Sequence, residues 1–355
     1  MSLGLPEINI VFKTKGVTAI ERSARGIVVC VLKDDTVGGQ EVEVYKSVID
    51  VDFTHFTEEN YNFLKLVYAG SPTKVVVVKI ATSSVNYNAA LKKIKDLKWN
   101  YLTIPKILPA EITIVSAWIK EQREQNKKTF KAVLPDCNAD HEGIINLTTG
   151  SVSSAITEKT HTASEYCARI AGVLAGLSLS RSSTYYVLTD IISADVPDDP
   201  DERINNGELI IVFDSEKYKI GRGVNSLTSF TPEKNDDFRK IKIVEGVDLY
   251  QDDIRGTYED YYVGKVINDY DNKQAFVAAI GSYHKELLGN ILDRSHENVV
   301  FVNVEAQRNY LESRGTDTSE LSDAAVAVAN TGSKVFISSS VKFVDAMEDL
   351  NMEVN

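Results

Sequence analysis

At 355 residues, with 43% apolar and 25% charged side chains, the chain is long enough for about two domains and has the make-up of a globular protein. Its short apolar runs, such as Val75 to Val78, fall far below the roughly 20 residues that a membrane span needs, so no membrane insertion is expected. Asp and Glu outnumber Lys and Arg by 51 to 39, and the net charge of −12 repels phosphate backbones and argues against nucleic acid as a partner.

Residues 6–14 alternate with the period of a strand, Ile8, Ile10 and Phe12 to one side and Glu7, Asn9 and Lys13 to the other. Gly26 to Leu32 and Lys74 to Ile80 read as valine-rich buried strands, and Thr57 to Ala69 between them carries Tyr61, Leu64 and Val67 at helical spacing. Within Asn86 to Leu97 the residues Ala90, Leu91, Ile94 and Leu97 share a helical face. Tyr101 to Ile104 then predicts a strand stopped by Pro105, Ile112 to Gln125 a helix, and Thr129 to Leu134 a strand ended by Pro135. Ile144 to Leu147 follows as a short strand, Thr162 to Leu177 as a helix and Tyr185 to Ile191 as a strand.

The acidic, proline-bearing stretch from Asp195 to Glu202 has the composition of an exposed connector. Beyond it the pattern predicts a hairpin, Glu208 to Asp214 and Lys217 to Gly221, turning over Asp214-Ser215-Glu216. Next come a strand at Lys240 to Val244, helices at Tyr258 to Asp271 and Lys273 to Leu292, and strands at Val299 to Val304 and Lys334 to Ser338. Val344 to Leu350 reads as a helix, and the tail 351–355 alternates again, with Met352 and Val354 apolar. No fixed-period repeat is present, which sets solenoids and propellers aside.

The expected fold class is therefore α/β, of the mixed α+β kind: a discontinuous core domain built from both chain ends, an inserted α/β domain, and extended strand arms. In numbers, 1–20 is the N-terminal arm, 21–81 and 196–343 form the core, 82–195 is the insertion and 344–355 is the C-terminal arm. The N-terminus lacks the basic start and apolar core of a secretory signal, so synthesis in a cytoplasm is expected.

Residues of the kind that do chemistry do not assemble into a site. Around Arg222, Gly221 and Gly223 fall short of G-x-G-x-x-G because Ser226 stands in the third glycine's place, which favours a tight strand-end turn over a phosphate cradle. The five histidines, His55, His141, His161, His284 and His296, include no i, i+4 pair that could share a metal. G-x-S-x-G is missing, and Cys30, Cys137 and Cys167 read as small buried hydrophobes. Acids at Asp195 to Glu202 and at Asp252, Asp253, Glu259 and Asp260 lack calcium-loop spacing; the second group is expected at a helix start. No catalytic residue, cofactor or metal is expected. Gly172 and Gly176, four apart on one helix, point to close backbone approach. Arg169, Arg181, Arg255 and Lys265 are candidates for pairing with acids on neighbouring copies.

Five stretches carry a resemblance. These are Gly221 to Leu227; Lys240 to Gly246; Tyr262 to Lys273; Asn330 to Phe336 continuing to Asp345 to Leu350; and, upstream, Glu165 to Leu177 with Ser183 to Leu188. Together they resemble the tail sheath proteins of contractile bacteriophages, defective prophages and phage-like bacteriocins. The resemblance implies a structural subunit that polymerises helically around a tail tube and contracts to drive the tube through a cell envelope. Its implied partners are copies of itself, the tail tube protein, and baseplate and tail terminator proteins, in a particle assembled in the host cytoplasm.

Neighbouring subunits of that family exchange terminal strands, which makes Ile8, Ile10, Phe12, Met352 and Val354 the expected inter-subunit arm contacts. Gly16, Gly26 and Gly332 are the candidate hinges, and Lys342 and Asp345 the candidate tube-facing residues. Burying Ile8, Ile10 and Phe12 gives on the order of 5 to 9 kcal/mol, and about four hydrogen bonds add roughly 4 more. Ordering seven residues costs on the order of 7 to 14 kcal/mol, so one arm is near neutral and only an array makes the exchange firm. The competing expectation is a nucleotide-binding or hydrolase-like enzyme on a doubly wound sheet, because helix and strand alternate there too. Another structural tail component, or the sheath of a tail-like secretion system, is a further alternative.

Overall fold

A computed structural model describes residues 19–354; the strand with Ile8, Ile10 and Phe12, and Gly16, lie outside the described residues. The described chain divides into two compact units, one made of residues 23–252 with 343–354, the other of 19–22 with 253–342.

The larger unit is built on a seven-stranded sheet. Its strands are β1 (Ile27–Lys33), β2 (Val42–Tyr45), β3 (Lys74–Ile80), β4 (Tyr101–Thr103), β5 (Lys131–Pro135), β6 (Ile144–Leu147) and, numbered tenth along the chain, β10 (Glu208–Leu209). Spatial order is β10-β6-β5-β4-β1-β3-β2, parallel throughout except where β2 runs antiparallel to β3. Helices α1 (Glu58–Tyr68) and α4 (Ala163–Gly176) cover one face, α2 (Asn88–Ile94) and α3 (Pro109–Glu124) the other. Strands covered on both faces must be apolar on both, which is why β1 and β3 are nearly unbroken runs of valine, isoleucine and leucine.

The sheet runs across the expected boundaries at 81/82 and 195/196. The expected boundary at 81/82 falls between β3 and β4, which flank β1 on either side, and β10 brings residues beyond 195 into the same hydrogen-bonded layer. Residues 253–342 form, with 19–22, the second compact unit.

Antiparallel pieces complete the larger unit. β7 (Ser151–Ser154) lies between β8 (Lys159–Thr162) and β9 (Ile191–Ala194), α5 (Pro200–Asn205) precedes β10, and β11 (Ile211–Phe213) pairs with β12 (Tyr218–Ile220). The hairpin turns where expected, through Ser215 at φ 75°. The strand expected over Tyr185 to Ile191 does not form before Ile191: Tyr185 is left-handed at φ 55°, and Val187 makes only an isolated bridge to Lys219.

α1 and α4 cross through glycine. A Cβ on Gly172 would sit 2.0 Å from the Val67 carbonyl oxygen, and one on Gly176 would sit 1.9 Å from the Gly70 carbonyl oxygen, so the two backbones touch without side chains between them.

α6 (Ile241–Tyr261) begins in the larger unit and ends in the smaller. It overturns the strand expected at Lys240 to Val244; the helix expected over Tyr258 to Asp271 overlaps it only in its last turn, and the one expected over Lys273 to Leu292 is α7 (Tyr270–Leu287), which starts three residues earlier and ends five sooner. Ile241, Val244, Glu245, Asp248, Leu249 and Asp252 share one helical face, and that face is acidic because it meets buried cations. Lys131 Nζ lies 2.6 Å from Asp248 and 2.9 Å from Glu245, Arg123 grips Asp248 at 2.9 and 3.1 Å, and Arg25 reaches Glu245 at 2.6 Å and Asp252 at 3.1 Å. The acids at 252, 253, 259 and 260 thus lie in the second half of this helix and not at a helix start.

In the smaller unit α7 packs on β13 (Val299–Val302), followed by α8 (Val304–Ser313), α9 (Asp323–Val328) and β14 (Ile337–Ser340). Lys273 is buried, its ammonium donating to Gln307 Oε1 at 3.1 Å and Thr331 Oγ1 at 3.3 Å. No helix among the described residues is long and apolar enough to cross a membrane.

Candidate assembly surfaces

The C-terminal segment lies on the larger unit. Val344 to Leu350, expected as a helix, is irregular chain, because its polar groups are taken by side chains from elsewhere. Lys242 Nζ donates to the Val344 carbonyl at 2.9 Å, Lys240 pairs with Asp345, and Phe343 sets its ring edge-on to Tyr250 at 6.1 Å. Glu348 Oε1 accepts from Ser182 Oγ at 2.7 Å and Thr184 Oγ1 at 2.6 Å, while Arg222 pairs with Asp349 and lies 3.7 Å from Glu348.

This explains the Gly221-Arg222-Gly223 turn. A Cβ on Gly223 would fall 2.4 Å from Ser183 Oγ, and its N–H donates to Thr184 Oγ1 at 2.9 Å, so the loop is drawn tight and presents Arg222 to the tail. Burial works to lower the Arg222 and Lys240 pKa values, but Asp349 and Asp345 respectively outweigh it and hold both raised. Past the clip, Leu350, Met352 and Val354 are exposed, as is Met347, so the predicted arm residues Met352 and Val354 stand in water with no strand beside them among the described residues.

In the smaller unit β13 and β14 form a sheet of two strands only, Val299 opposite Ser340 and Val302 opposite Ile337. Each therefore has an outer edge of N–H and C=O groups with no strand beside it among the described residues, and Phe301 is half exposed. Two strands alone are marginal in water. Nearby, Tyr258, Tyr262 and Phe276 cluster at ring separations of 4.6 to 5.8 Å and line a cavity of about 530 Å³ with Ile267, Asn268 and Val335.

The other predicted residues fall as follows. Gly26 has φ +77°, and a Cβ there would meet the Ala175 carbonyl and Thr73 Oγ1, each at 2.7 Å; Gly332 has φ +61° with nothing within 4 Å. Lys342 is exposed, 3.7 Å from Asp293, whereas Asp345 is taken by Lys240. Arg169, expected among residues pairing between copies, is buried and donates to Asp190 at 2.9 Å within the chain. Cys30, Cys137 and Cys167 are buried and free, and no group of three or more His, Cys, Asp or Glu among the described residues could hold a metal. Sequence reasoning missed Arg25, Arg123 and Lys131; a lone cation in an apolar run, as Lys131 is beside Ala132, Val133 and Leu134, is the signal that could have found one of them.

Comparison with known proteins bears directly on these surfaces. Residues 81–226 match the model of the phage tail sheath protein central domain, and residues 233–355 that of the phage tail sheath C-terminal domain. The chain is 35% identical over 363 aligned residues, 99% of both chains, to a tail sheath protein of Clostridium phage phiCD119. Its fold is similar to the sheath tail protein of Desulfitobacterium hafniense, with TM-score 0.72 at 15% identity over 84% of this chain and 94% of that one. It is also similar to the helical sheath of the anti-feeding prophage in its contracted state, with TM-score 0.71 at 15% identity over 100% and 99% of the two chains. With full-length identity of this order, and both halves matching, the chain belongs to the family of phage tail sheath proteins.

Proposed function

We propose that this chain is the structural subunit of a contractile tail sheath, polymerising helically around a tail tube and contracting to drive that tube through a target envelope. The anti-feeding prophage relative is a helical sheath in a contracted state, and family membership makes the same assembly the natural reading here. The observation that carries it is the β13–β14 sheet, whose two outer edges have no strand beside them among the described residues and can each accept one from a neighbouring copy. The C-terminal arm supplies one such strand, with Met352 and Val354 on its apolar side, and residues 6–14, with Ile8, Ile10 and Phe12, supply the other.

Gly332, at φ +61° with nothing within 4 Å of where a Cβ would sit, is the hinge of this reading that packing confines less than Gly26, with Gly16 as the third. Lys342 and Asp345 face the tube; of the two, Lys342 has the more exposed charge. Baseplate and terminator proteins cap the polymer, which is made in the host cytoplasm.

Deleting residues 1–15 tests the arm mechanism. The truncated chain is expected to keep the circular dichroism of the intact one while forming no tubes under the electron microscope; normal tubes from the truncated chain would refute strand exchange.

A further inference from the structure

The C-terminal tail is not the only exposed apolar surface among the described residues. β2 closes one side of the seven-stranded sheet, and its outer edge has no strand beside it among the described residues. Around that edge Val37 and Ile49 are 93 and 90% exposed, and Val44 and Phe53 are exposed too. The segment that holds them is well tied. Lys79 Nζ donates to the carbonyls of Thr36, Gly38 and His55 at 3.2, 2.7 and 3.0 Å. Asp34 receives the Thr57 N–H at 2.9 Å and the Asn60 amide at 2.8 Å, and Ser47 and Asp50 cap each other's backbone. Large apolar side chains fixed in water by ordered loops gain nothing in a lone subunit and mark a contact surface.

Charge names the occupant. Residues 34–59 carry eight carboxylates against a single lysine, Lys46. Lysine pairs reach Glu41, Glu58 and Glu59, while Asp35, Glu43, Asp50 and Asp52 have no lysine or arginine at ion-pair distance among the described residues. The same chain bears the complement at the end of α2, where residues 92–98 hold four lysines and one aspartate. Lys92, Lys95 and Lys98 there are exposed, as is the apolar Leu97 between the last two.

We propose that the β2-edge surface seats residues 92–98 of a second copy of this chain, a body-to-body contact separate from strand exchange. It rests on the self-assembly reading above. Within one copy the two surfaces adjoin through Lys93 and Glu41, but the exposed Lys92, Lys95 and Lys98 are left for a neighbour, so a copy that uses one surface still offers the other, and contacts of this kind propagate. The occupant matches in both respects: its lysines meet acids that no lysine or arginine holds among the described residues, and Leu97 meets the Ile49 and Phe53 side chains.

The test uses the full chain under conditions where the wild type forms sedimentable tubes. Ile49→Lys places a cation on the patch without touching any of the hydrogen bonds that order it, and should raise the concentration needed for polymer at least tenfold while leaving the circular dichroism unchanged. Lys95→Glu with Lys98→Glu should do the same. Combining all three substitutions should restore assembly to within a few-fold of wild type. Wild-type tubes with equally abundant Ile49→Lys tubes, or a triple variant no better than its parents, overturn the contact and leave the sheath reading intact. Absence of tubes from the wild type overturns both.

Discussion

Replacing Gly172 by alanine tests the glycine crossing of α1 and α4. The new Cβ would lie 2.0 Å from the Val67 carbonyl oxygen and 2.8 Å from its carbon. Ordinary contact begins near 3.4 Å, so the helices must part by more than about 1 Å. The obstacle is backbone on both sides, and no rotamer change relieves it. Overpacking of this kind costs about 1 to 3 kcal/mol, and parting the helices also loosens Leu64 and Val67 against Ala168 and Ala171, which puts the cost at the upper end. Alanine returns about 1 kcal/mol through helix propensity, leaving a net loss of about 2 kcal/mol. Gly256 in α6 is the internal control, since a Cβ there meets nothing within 4 Å; the same substitution should gain about 1 kcal/mol. Urea unfolding followed by circular dichroism reads both. Equal shifts of the same sign in the two variants would refute the close-approach argument.

Two further predictions concern buried charge. Lys131→Met removes the cation shared by Asp248 and Glu245; Arg123 and Arg25 still hold those acids, so the loss should be about 3 kcal/mol in the urea midpoint, and a change below about 1 kcal/mol would mean the network is not what fixes α6. Acid should destabilise the protein in two stages. Burial, aided by Arg123 and Lys234, lowers His141 from 6.5 to about 4; the folded state resists its proton, and stability complete above pH 6.5 falls as pH drops through 4. Burial opposes ionisation of Glu245, but Lys131 and Arg25 hold it at about 2, so its contribution is present above 4.5 and lost as pH falls toward 2. His141→Asn, whose side-chain oxygen can replace Nδ1 as acceptor for the Gly143 N–H, should flatten only the upper stage of the urea midpoint against pH; an unchanged upper slope would assign that stage to another group.

What the sequence disclosed follows from the physics of each element. β1, β3 and α1 were legible nearly to the residue because a strand covered on both faces is apolar throughout and α1 carries its own cap at Thr57. α6 was not, because its inward face is Glu245, Asp248 and Asp252, and a helix that buries acids shows no apolar stripe. Its partners Arg25, Arg123 and Lys131 are spread over more than a hundred residues, a pairing only the fold discloses. In the C-terminal segment the alternation of Met352 and Val354 is visible in the sequence, whereas the clip at Asp345, Glu348 and Asp349 reads there as a helix because its acids and apolar residues fall at helical spacing.

The position of that clip sets a leash. Val354 lies five residues past Asp349, and at about 3.3 Å each these span about 17 Å, so in the strand-exchange reading proposed above the body that takes Met352 and Val354 stays within that radius of Arg222. In that reading, a rearrangement that carried the body farther would have to tear Arg222 from Asp349 and Lys240 from Asp345, which would make these surface ion pairs the fuse on the displacement.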